Sequence, residues 1–447
     1  MQKVSRSDQR DLLPFYLLEL PRIMRYSDEY DSPVAVWCRI FRNFAIFAKS
    51  RSERDAEFDR LERAMRISGL DDSEIDDYFS DMMTEKEMRP YIEGAEQQGY
   101  RKGFKAGSEQ GLAEETFNEY GKERAIDLLF EGSGFSRTER IGFEPGAGNT
   151  LISASRLFVE GMDFDLTYFP LKHLGYKSVV AVAGEVYAGM AHPRLLNVRL
   201  GVSAKLDFGH VKELWQGIVT AAREHGFKSL DLDLVPSPNG LTISVSAVGE
   251  EFKLTKGRTV KARSMDLVCV SGSLGAAFLG QQILERGKKA FEKAKDDSAQ
   301  PDLGKYKMLI GSYLKPELSA STVSRLEEAQ IYPSNGYLVA HGLSDAVKRL
   351  SRDTGLGVKI YADKIPFEGN SFASGKELDI DPISAAMNGG DDLRLLFTIP
   401  ILSAEKFRRD FQTFDIIGHL AQPEVGSVLV SPDGLEHPIL AQGWKEV

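Results

Sequence analysis

A chain of 447 residues with 42% hydrophobic and 27% charged residues is typical of a globular protein with two or three domains. No apolar run approaches the ~20 residues that span a bilayer, and Glu19 and Arg22 interrupt the apolar stretch near the N-terminus, so we expect neither a membrane span nor a signal peptide. The net charge of −10 argues against a general nucleic-acid-binding protein. Cys38 and Cys269 lack metal-ligand spacing and predict reduced thiols in a cytoplasmic protein.

Residues 1–115 predict a helical region. Phe58, Leu61 and Met65 recur at helical spacing, and glycine recurs every fourth residue from position 99 to position 111. On a helix these glycines would form a bare stripe for another backbone, although a charged linker explains them equally well. The segments LLELPRI and VWCRIFRN and the glycine-punctuated tail resemble the C-terminal tail of PD-(D/E)XK nuclease-type transposase proteins. No nuclease core precedes them, so we expect no nuclease activity.

Residues 116–262 alternate predicted helices and strands. The apolar run Ser178–Ala183 predicts a strand, and helical periodicity predicts a helix over Val211–His225. Further strands are predicted at Leu195–Val202, Leu230–Val235 and Leu241–Val248, the last from its strict alternation.

Residues 263–447 form a second half in which predicted strands and helices again alternate. A strand at Asp266–Val270 leads through a small-residue turn into a helix at Ala276–Arg286. Later strands are predicted at Val358–Tyr361, Leu395–Ile399 and Val428–Val430. Two such halves indicate an α+β architecture rather than one doubly wound sheet. We therefore expect three regions, with bounds at 1–115, 116–262 and 263–447.

Several blocks in fixed order resemble thiamine-monophosphate kinase, a family of the PurM-like superfamily. The most informative block is Phe158–Val182, which reads FVEGMDFDLTYFPLKHLGYKSVVAV, and the likeness extends from Phe117 to Trp444. The resemblance implies a PurM-like two-domain kinase scaffold, preceded here by the helical N-terminal region. It also implies transfer of the γ-phosphoryl group of ATP to thiamine monophosphate, with Mg²⁺ held by aspartates, and a homodimer formed through the 116–262 sheet.

The family's acidic motifs are largely replaced in this sequence. The family's G-x-G-D-D-A-A loop aligns with the segment that begins at Gly146, where Asn149 and Thr150 replace both aspartates. The following T-D pair aligns with Ser155-Arg156, which places a cation at the position of a metal ligand. A substrate-contacting histidine of the family aligns with Asp163.

The remaining motifs show the same pattern. N-x-S-D ends at Glu185, and G-G-D-T aligns with the segment Asp231-Leu-Asp233-Leu, which retains Asp233. D-I-S-D-G-L aligns with the segment from Leu338 to Leu343, so both of its aspartates are lost. G-G-E-D-Y-E-L-L-F aligns with the segment Gly389–Phe397 and is partly matched.

The aligned positions define three sets of candidate site residues, while no catalytic residue is predicted. Asp231 and Asp233 share one strand face, which fits either a metal site or a solvated surface. Gly272 and Gly275 fit either a phosphate cradle or a simple turn, and Trp444 fits either stacking on substrate or core packing. The candidate metal ligands are Glu185, Asp231 and Asp233; the phosphate-binding candidates are Gly146, Gly148, Asn149, Arg156, Gly272 and Gly275; the substrate-binding candidates are Asp163, Asp391, Asp392 and Trp444.

The sequence predicts a degenerate kinase homologue with little or no activity. Two carboxylates and an inserted arginine do not reproduce the acidic ring that holds a metal-bound triphosphate. A working kinase with a rearranged metal site is one alternative, and a dimeric scaffold that acts through residues 1–115 is another. ATP, Mg²⁺ and thiamine monophosphate are the expected ligands if activity is retained, and we expect neither a membrane nor a nucleic acid as partner.

Overall fold

The computed structural model describes residues 2–3, 16–17, 117–138, 140–251, 260–293 and 303–444. The chain divides into two compact units, Met1–Thr84 and Glu85–Val447. In the first unit, Gln2–Lys3 pairs antiparallel with Tyr16–Leu17. The other predictions for residues 1–115, including the helices, the glycine stripe and the Cys38 thiol, lie outside the described residues.

A four-stranded sheet forms the first part of the second unit, after helix α1 (Phe117–Phe130). Its strands in spatial order are β1, β4, β2 and β3. β4 pairs antiparallel with β1 and with β2, whereas β2 and β3 are parallel. The predicted strands in this sheet are confirmed, because alternating side chains are buried as the period of two requires. The strand bounds are β1 Leu151–Val159, β2 Ala191–Ser203, β3 Ser229–Ser237 and β4 Thr242–Glu251.

Helices α2 (Leu171–Ala188) and α3 (Phe208–Glu224) pack closely against each other. Glycine is required at their contact, because a Cβ atom on Gly217 would lie 1.8 Å from the Lys172 carbonyl oxygen. The α3 prediction is confirmed, with a first turn capped by the Asp207 side chain.

The prediction of a strand at Ser178–Ala183 is wrong, since this run lies in the middle of α2. Every residue from Leu174 to Gly184 is buried. A helix that is covered on all sides shows no polar face, so its short apolar run cannot be told from a buried strand by periodicity.

A seven-stranded sheet forms the rest of the unit, in the order β11-β10-β7-β9-β5-β8-β6. All neighbouring strands are antiparallel except β7 and β10. The four strands predicted in this half are confirmed. The strand bounds are β5 Leu267–Val270, β6 Asn335–Val339, β7 Gly357–Tyr361, β8 Arg394–Ile399, β9 Asp415–Ala421, β10 Ser427–Val430 and β11 Glu436–Pro438.

Helices surround the larger sheet. One face packs against helix α7, where Leu343, Val347 and Leu350 join Val268 and Leu396 in a buried core. The first helix of this half begins at Ala276, as predicted. The helix bounds are α4 Ala276–Lys293, α5 Lys307–Leu314, α6 Thr322–Glu328, α7 Leu343–Thr354, α8 Ser371–Leu378, α9 Pro382–Asn388 and α10 Ala404–Asp410.

Helix α2 also joins the two sheets, because it contacts β1, β2 and β4 on one side and β6 and β8 on the other. The approach to β6 is close: a Cβ atom on Gly336 would lie 2.2 Å from the Ala188 carbonyl oxygen. This placement brings the side chains of α2 to the junction between the sheets. The α+β architecture is confirmed.

Two composition-based predictions also concern the described residues. None of the helices between Phe117 and Trp444 that the structure describes combines the length and apolar character that crossing a bilayer requires. Cys269 is a buried free thiol, and burial raises its pKa.

Candidate functional site

Lys177 of α2 is a buried cation at the junction between the two sheets. Its side chain is only 2% exposed. The ammonium Nζ donates to Asp391 Oδ2 at 3.1 Å and to the Tyr313 carbonyl oxygen at 2.9 Å, and it lies 3.9 Å from the centre of the Tyr313 ring. Burial lowers the pKa of Lys177, although the charge of Asp391 opposes that effect.

Asp391 also pairs with a second cation, which lies on strand β1. Arg156 Nη2 lies 3.4 Å from Asp391 Oδ1, so one carboxylate spans both cations. Burial alone would raise the pKa of Asp391, but the charges of Lys177 and Arg156 outweigh it and the pKa is lowered. We call Arg156, Lys177 and Asp391 the ionic cluster.

The backbone at Asp391 is held in an uncommon conformation. Its φ is +62°, a left-handed value that few residues other than glycine adopt. The Asp391 amide donates to the Ala340 carbonyl oxygen at 2.8 Å, and the Leu393 amide donates to that of Val339 at 2.9 Å. These two hydrogen bonds attach the loop after α9 to the end of β6. They place the Asp391 carboxylate beside Lys177 and Arg156.

Glu185, a predicted metal ligand, lies beside a cation instead. Arg349 Nη1 is 4.0 Å from Glu185 Oε1, and Arg349 Nε is 3.0 Å from Asp345 Oδ2. Burial raises the pKa of Glu185, while the charge of Arg349 opposes the shift. Asp345 also accepts a hydrogen bond from Nε1 of Trp444 at 2.9 Å, and Arg352 lies over the indole ring. The structure therefore places Trp444 in contact with α7.

Asp231 and Asp233 share the outer face of β3, as predicted, but each pairs with a cation of its own. Asp231 Oδ2 lies 2.6 Å from Arg199 Nη2, and Asp233 Oδ1 lies 2.5 Å from Lys122 Nζ. The hydrogen bond from Lys122 lowers the pKa of Asp233.

The donor set does not fit Mg²⁺. Across the described residues, no three His, Cys, Asp or Glu side chains are arranged to hold a metal ion. Magnesium needs several oxygen ligands in near-octahedral order. The candidate carboxylates instead occupy separate ion pairs.

The predicted phosphate-binding turn at Gly146 faces a carboxylate of the same chain. Glu250 Oε1 accepts from the Gly146 amide at 2.6 Å and from Asn149 Nδ2 at 2.7 Å. Its other oxygen accepts from Arg194 Nε and Nη2, at 3.1 Å and 2.9 Å. These hydrogen bonds, that of the Gly146 amide first, lower the pKa of Glu250. Gly148 lies in the same turn with φ +69°.

The predicted phosphate-binding turn at Gly275 also binds a carboxylate of the same chain. Asp392 accepts from the Gly275 amide at 2.8 Å and from the Ala277 amide at 3.2 Å, at the start of α4. Burial raises the pKa of Asp392 to about 7, and these two hydrogen bonds oppose the shift. Gly272 lies in the preceding turn with φ +125°, beside the Arg394 guanidinium.

Asp163, the predicted substrate contact, stabilises a turn. Its Oδ2 accepts from the Val159 amide at 2.8 Å, which closes the end of β1. Its carbonyl oxygen accepts from the Tyr313 hydroxyl at 3.4 Å, so it borders the ionic cluster without joining it.

The structure thus brings together Arg156 with Asp391, Gly275 with Asp392, and Gly146 with Asn149 among the predicted residues. Of the three metal candidates, Asp231 and Asp233 share a face of β3 in separate ion pairs, and Glu185 lies apart from them on α2. Sequence reasoning missed Lys177, Tyr313, Arg349 and Glu250. One signal was present: Lys177 lies within an otherwise apolar run, where an uncompensated charge would be costly.

Comparisons with known proteins identify relatives of one kind. The thiamine-monophosphate kinase of Aquifex aeolicus is 25% identical over 290 residues, which is 64% of this chain and 88% of the relative. That of Pyrococcus horikoshii is 26% identical over 278 residues, 61% of this chain and 79% of the relative. No family model matches the chain.

Solved structures show the same fold. A structure of AaThiL complexed with AMPPCP and TMP has a TM-score of 0.53 at 23% identity, with 72% of this chain and 98% of that chain covered. The hydrogenase maturation protein HypE of E. coli has a TM-score of 0.56 at 16% identity, with 73% and 98% covered. The chain therefore has the PurM-like α+β fold that thiamine-monophosphate kinases and HypE share.

Proposed function

We propose that this chain is a thiamine-monophosphate kinase homologue in which ion pairs between its own side chains replace the metal ions of the active site. It transfers little or no phosphate from ATP to thiamine monophosphate. Residues 116–262 and 263–447 act as its two domains, and the ionic cluster lies where they meet.

The observation that carries this proposal is the double pairing of Asp391. Phosphoryl transfer depends on positioning and on metal ions that neutralise developing charge. A carboxylate that already binds Lys177 and Arg156 at 3.1 Å and 3.4 Å has little capacity left for Mg²⁺. A metal ion brought to this site would meet two positive charges.

The position of Leu338 supports the same conclusion. The resemblance aligns this residue with an aspartate of the family, yet here it is 0% exposed. Its Cδ1 would lie 2.5 Å from a Cβ atom on Gly184, so it fills the contact between β6 and α2. An aspartate at this position would be a buried and unpaired charge.

Binding of the phosphate-bearing ligands is the property that this arrangement retains. AaThiL forms a complex with AMPPCP and TMP. In this chain we propose direct phosphate contacts from Arg156 and Arg349, because guanidinium groups suit phosphate geometry without a metal. Their side chains are 17% and 23% exposed.

A coupled ADP-release assay with ATP, thiamine monophosphate and Mg²⁺ tests the loss of transfer, with the Aquifex aeolicus kinase as positive control. We expect ADP release at the level of the protein-free background. Turnover that Asp233→Asn abolishes would establish a working metal site and refute the proposal. Calorimetry of ATP with Mg²⁺ and with EDTA tests binding, and equal affinities are expected.

A dimeric scaffold is the second candidate function. The outer face of the four-stranded sheet exposes Leu151, Leu157 and Val235 by 48%, 55% and 48%. Exposed apolar side chains on one sheet face favour a protein contact there. We propose a homodimer through this face, with residues 1–115 available to partners.

Light scattering of Leu157→Lys tests the dimer. The matched control is Met162→Lys, which changes a residue that is 83% exposed in the turn after β1. Dissociation by the first variant alone supports the scaffold, whereas a monomeric wild-type chain argues against it.

A further inference from the structure

A cavity of about 610 Å³ opens on the seven-stranded sheet, on the face opposite α7. Near β6 and β8 this face is covered by α2, and near β8 it is covered by the aromatic side chains of α10 and the segment that follows it. Toward β7 and β9 this face carries the cavity, beside the short 3-10 turn Ala362–Lys364. The residues that carry the argument below are Leu267, Tyr361, Arg408, Phe414, Ile416 and His419.

Two pairs of aromatic rings line this cavity. The rings of Tyr361 and His419 stack with centroids 5.7 Å apart and an interplanar angle of 29°. Beside them Phe414 is partly exposed and meets the fully buried Phe411 edge to face at 6.2 Å, so of these two rings Phe414 is the accessible one. Burial lowers the pKa of His419, and the charge of Lys359 adds to that effect, so both disfavour the charged imidazolium. The cavity therefore offers flat, uncharged surfaces on which a planar ring can stack.

The rim of the cavity carries an excess of positive charge. Arg408 is exposed, and within the part of the chain that the structure describes it forms no ion pair. Lys364 pairs with its neighbour Asp363 at 3.2 Å, but both side chains are largely exposed and such pairs are weak. Asp415 is the only carboxylate among the described lining residues.

This cavity is separate from the ionic cluster. None of its lining residues belongs to that cluster or to α2. A ligand in this cavity would therefore not contact the residues on which the proposed function depends.

We propose that this cavity binds a planar aromatic ring that carries one anionic group. The ring lies against the Tyr361–His419 pair and Phe414, and the anionic group lies at Arg408. The cavity volume falls within the range of about 300–1,000 Å³ that is usual for small-molecule sites. An anionic group gains an ion pair with Arg408 that a neutral ring does not, and the aromatic ring covers apolar walls that a purely polar anion leaves exposed.

Fluorescence titration with 8-anilinonaphthalene-1-sulfonate tests the proposal, with N-phenyl-1-naphthylamine as the neutral analogue. Arg408→Gln is expected to weaken binding of the sulfonate about two- to fivefold, as loss of a solvent-exposed ion pair does. It is expected to leave binding of the neutral analogue unchanged. Arg409→Gln is the matched control, since Arg409 is exposed, pairs with Asp410 and does not line the cavity.

A second variant, Ile416→Trp, fills the cavity and is expected to abolish binding of both dyes while the thermal midpoint is retained. Competition by benzoate and by phenyl phosphate then shows which anionic group is preferred. Equal effects of the two arginine variants, or sulfonate binding that survives Ile416→Trp, would overturn the proposal by placing the dye elsewhere.

Discussion

Replacing Asp391 with asparagine should strip the ionic cluster of its only carboxylate and leave Lys177 buried without a counter-charge. Lys177 is 2% exposed, and its remaining polar partner is the Tyr313 carbonyl oxygen. Removing one partner of a buried pair costs about 3–5 kcal/mol. Asparagine tolerates the φ of +62° at this position better than other substitutes, so backbone strain adds little.

Urea denaturation at pH 6 and pH 9 measures this loss. The folded-state pKa of Lys177 is lowered below its ordinary value of 10.5, so between these two pKa values the unfolded chain binds more protons and this group makes stability rise with pH. Loss of Asp391 lowers that pKa further. The variant should therefore be destabilised more at pH 6 than at pH 9.

Two controls make the result specific. Lys177→Met combined with Asp391→Asn removes both charges. This double variant should recover most of the lost stability and should lose the added pH dependence. Asp410→Asn breaks the exposed Arg409–Asp410 pair and should change the urea midpoint little. If Asp391→Asn costs no more than Asp410→Asn, the reasoning about the ionic cluster is refuted.

Two further predictions concern the packing of α2 and a buried histidine. Gly336→Ala should lower the thermal midpoint strongly, because its Cβ atom would lie 2.2 Å from the Ala188 backbone. Gly184→Ala should lower it less, because the Leu338 side chain that its Cβ atom meets can move. Equal losses in the two variants would argue against a close helix–strand contact. Burial lowers the pKa of His225 to about 4, so the unfolded chain takes up a proton that the folded chain resists, and stability should fall by about 3 kcal/mol as the pH drops from about 6.5 to 4. His225→Gln should flatten that part of the stability curve in urea titrations, and an unchanged slope would contradict the assignment.

Much of the fold could be predicted because the strands carry local signals. Leu241–Val248 alternates apolar and polar side chains, and all of it except Leu241 lies in β4, where alternate residues are buried. The apolar spacing of Leu214 and Ile218 similarly predicts the helix from Val211, whereas the Asp207 cap that begins α3 was not recognised. These patterns depend on neighbours in sequence, so one chain is sufficient to find them.

Helix α2 shows where local reasoning fails. Its central residues are buried on all sides because it lies between two sheets, and the strands β6 and β8 that cover one of its sides come from more than a hundred positions away. The surrounding environment removed the polar face by which a helix is usually recognised.

The candidate site was only partly predictable for the same reason. Alignment with the family indicated Arg156 and Asp391 separately, but nothing local links them. Lys177 and Asp391 are 214 positions apart, and Asn149 and Glu250 are 101 apart. A pairing over such distances follows from the completed fold, and it determines whether a carboxylate is available to a metal or already bound to a cation.

Electron paramagnetic resonance of Mn²⁺ in the presence of the protein and AMPPCP measures directly whether this chain holds a divalent metal, because Mn²⁺ substitutes for Mg²⁺ and its free signal can be quantified. If ion pairs replace the metal ions, the free Mn²⁺ signal measured with AMPPCP should be the same with and without the protein, and Asp233→Asn should not change it. Stoichiometric loss of that signal on adding the protein, restored by Asp233→Asn, would show that carboxylates of this chain hold a divalent metal and would contradict the proposed replacement.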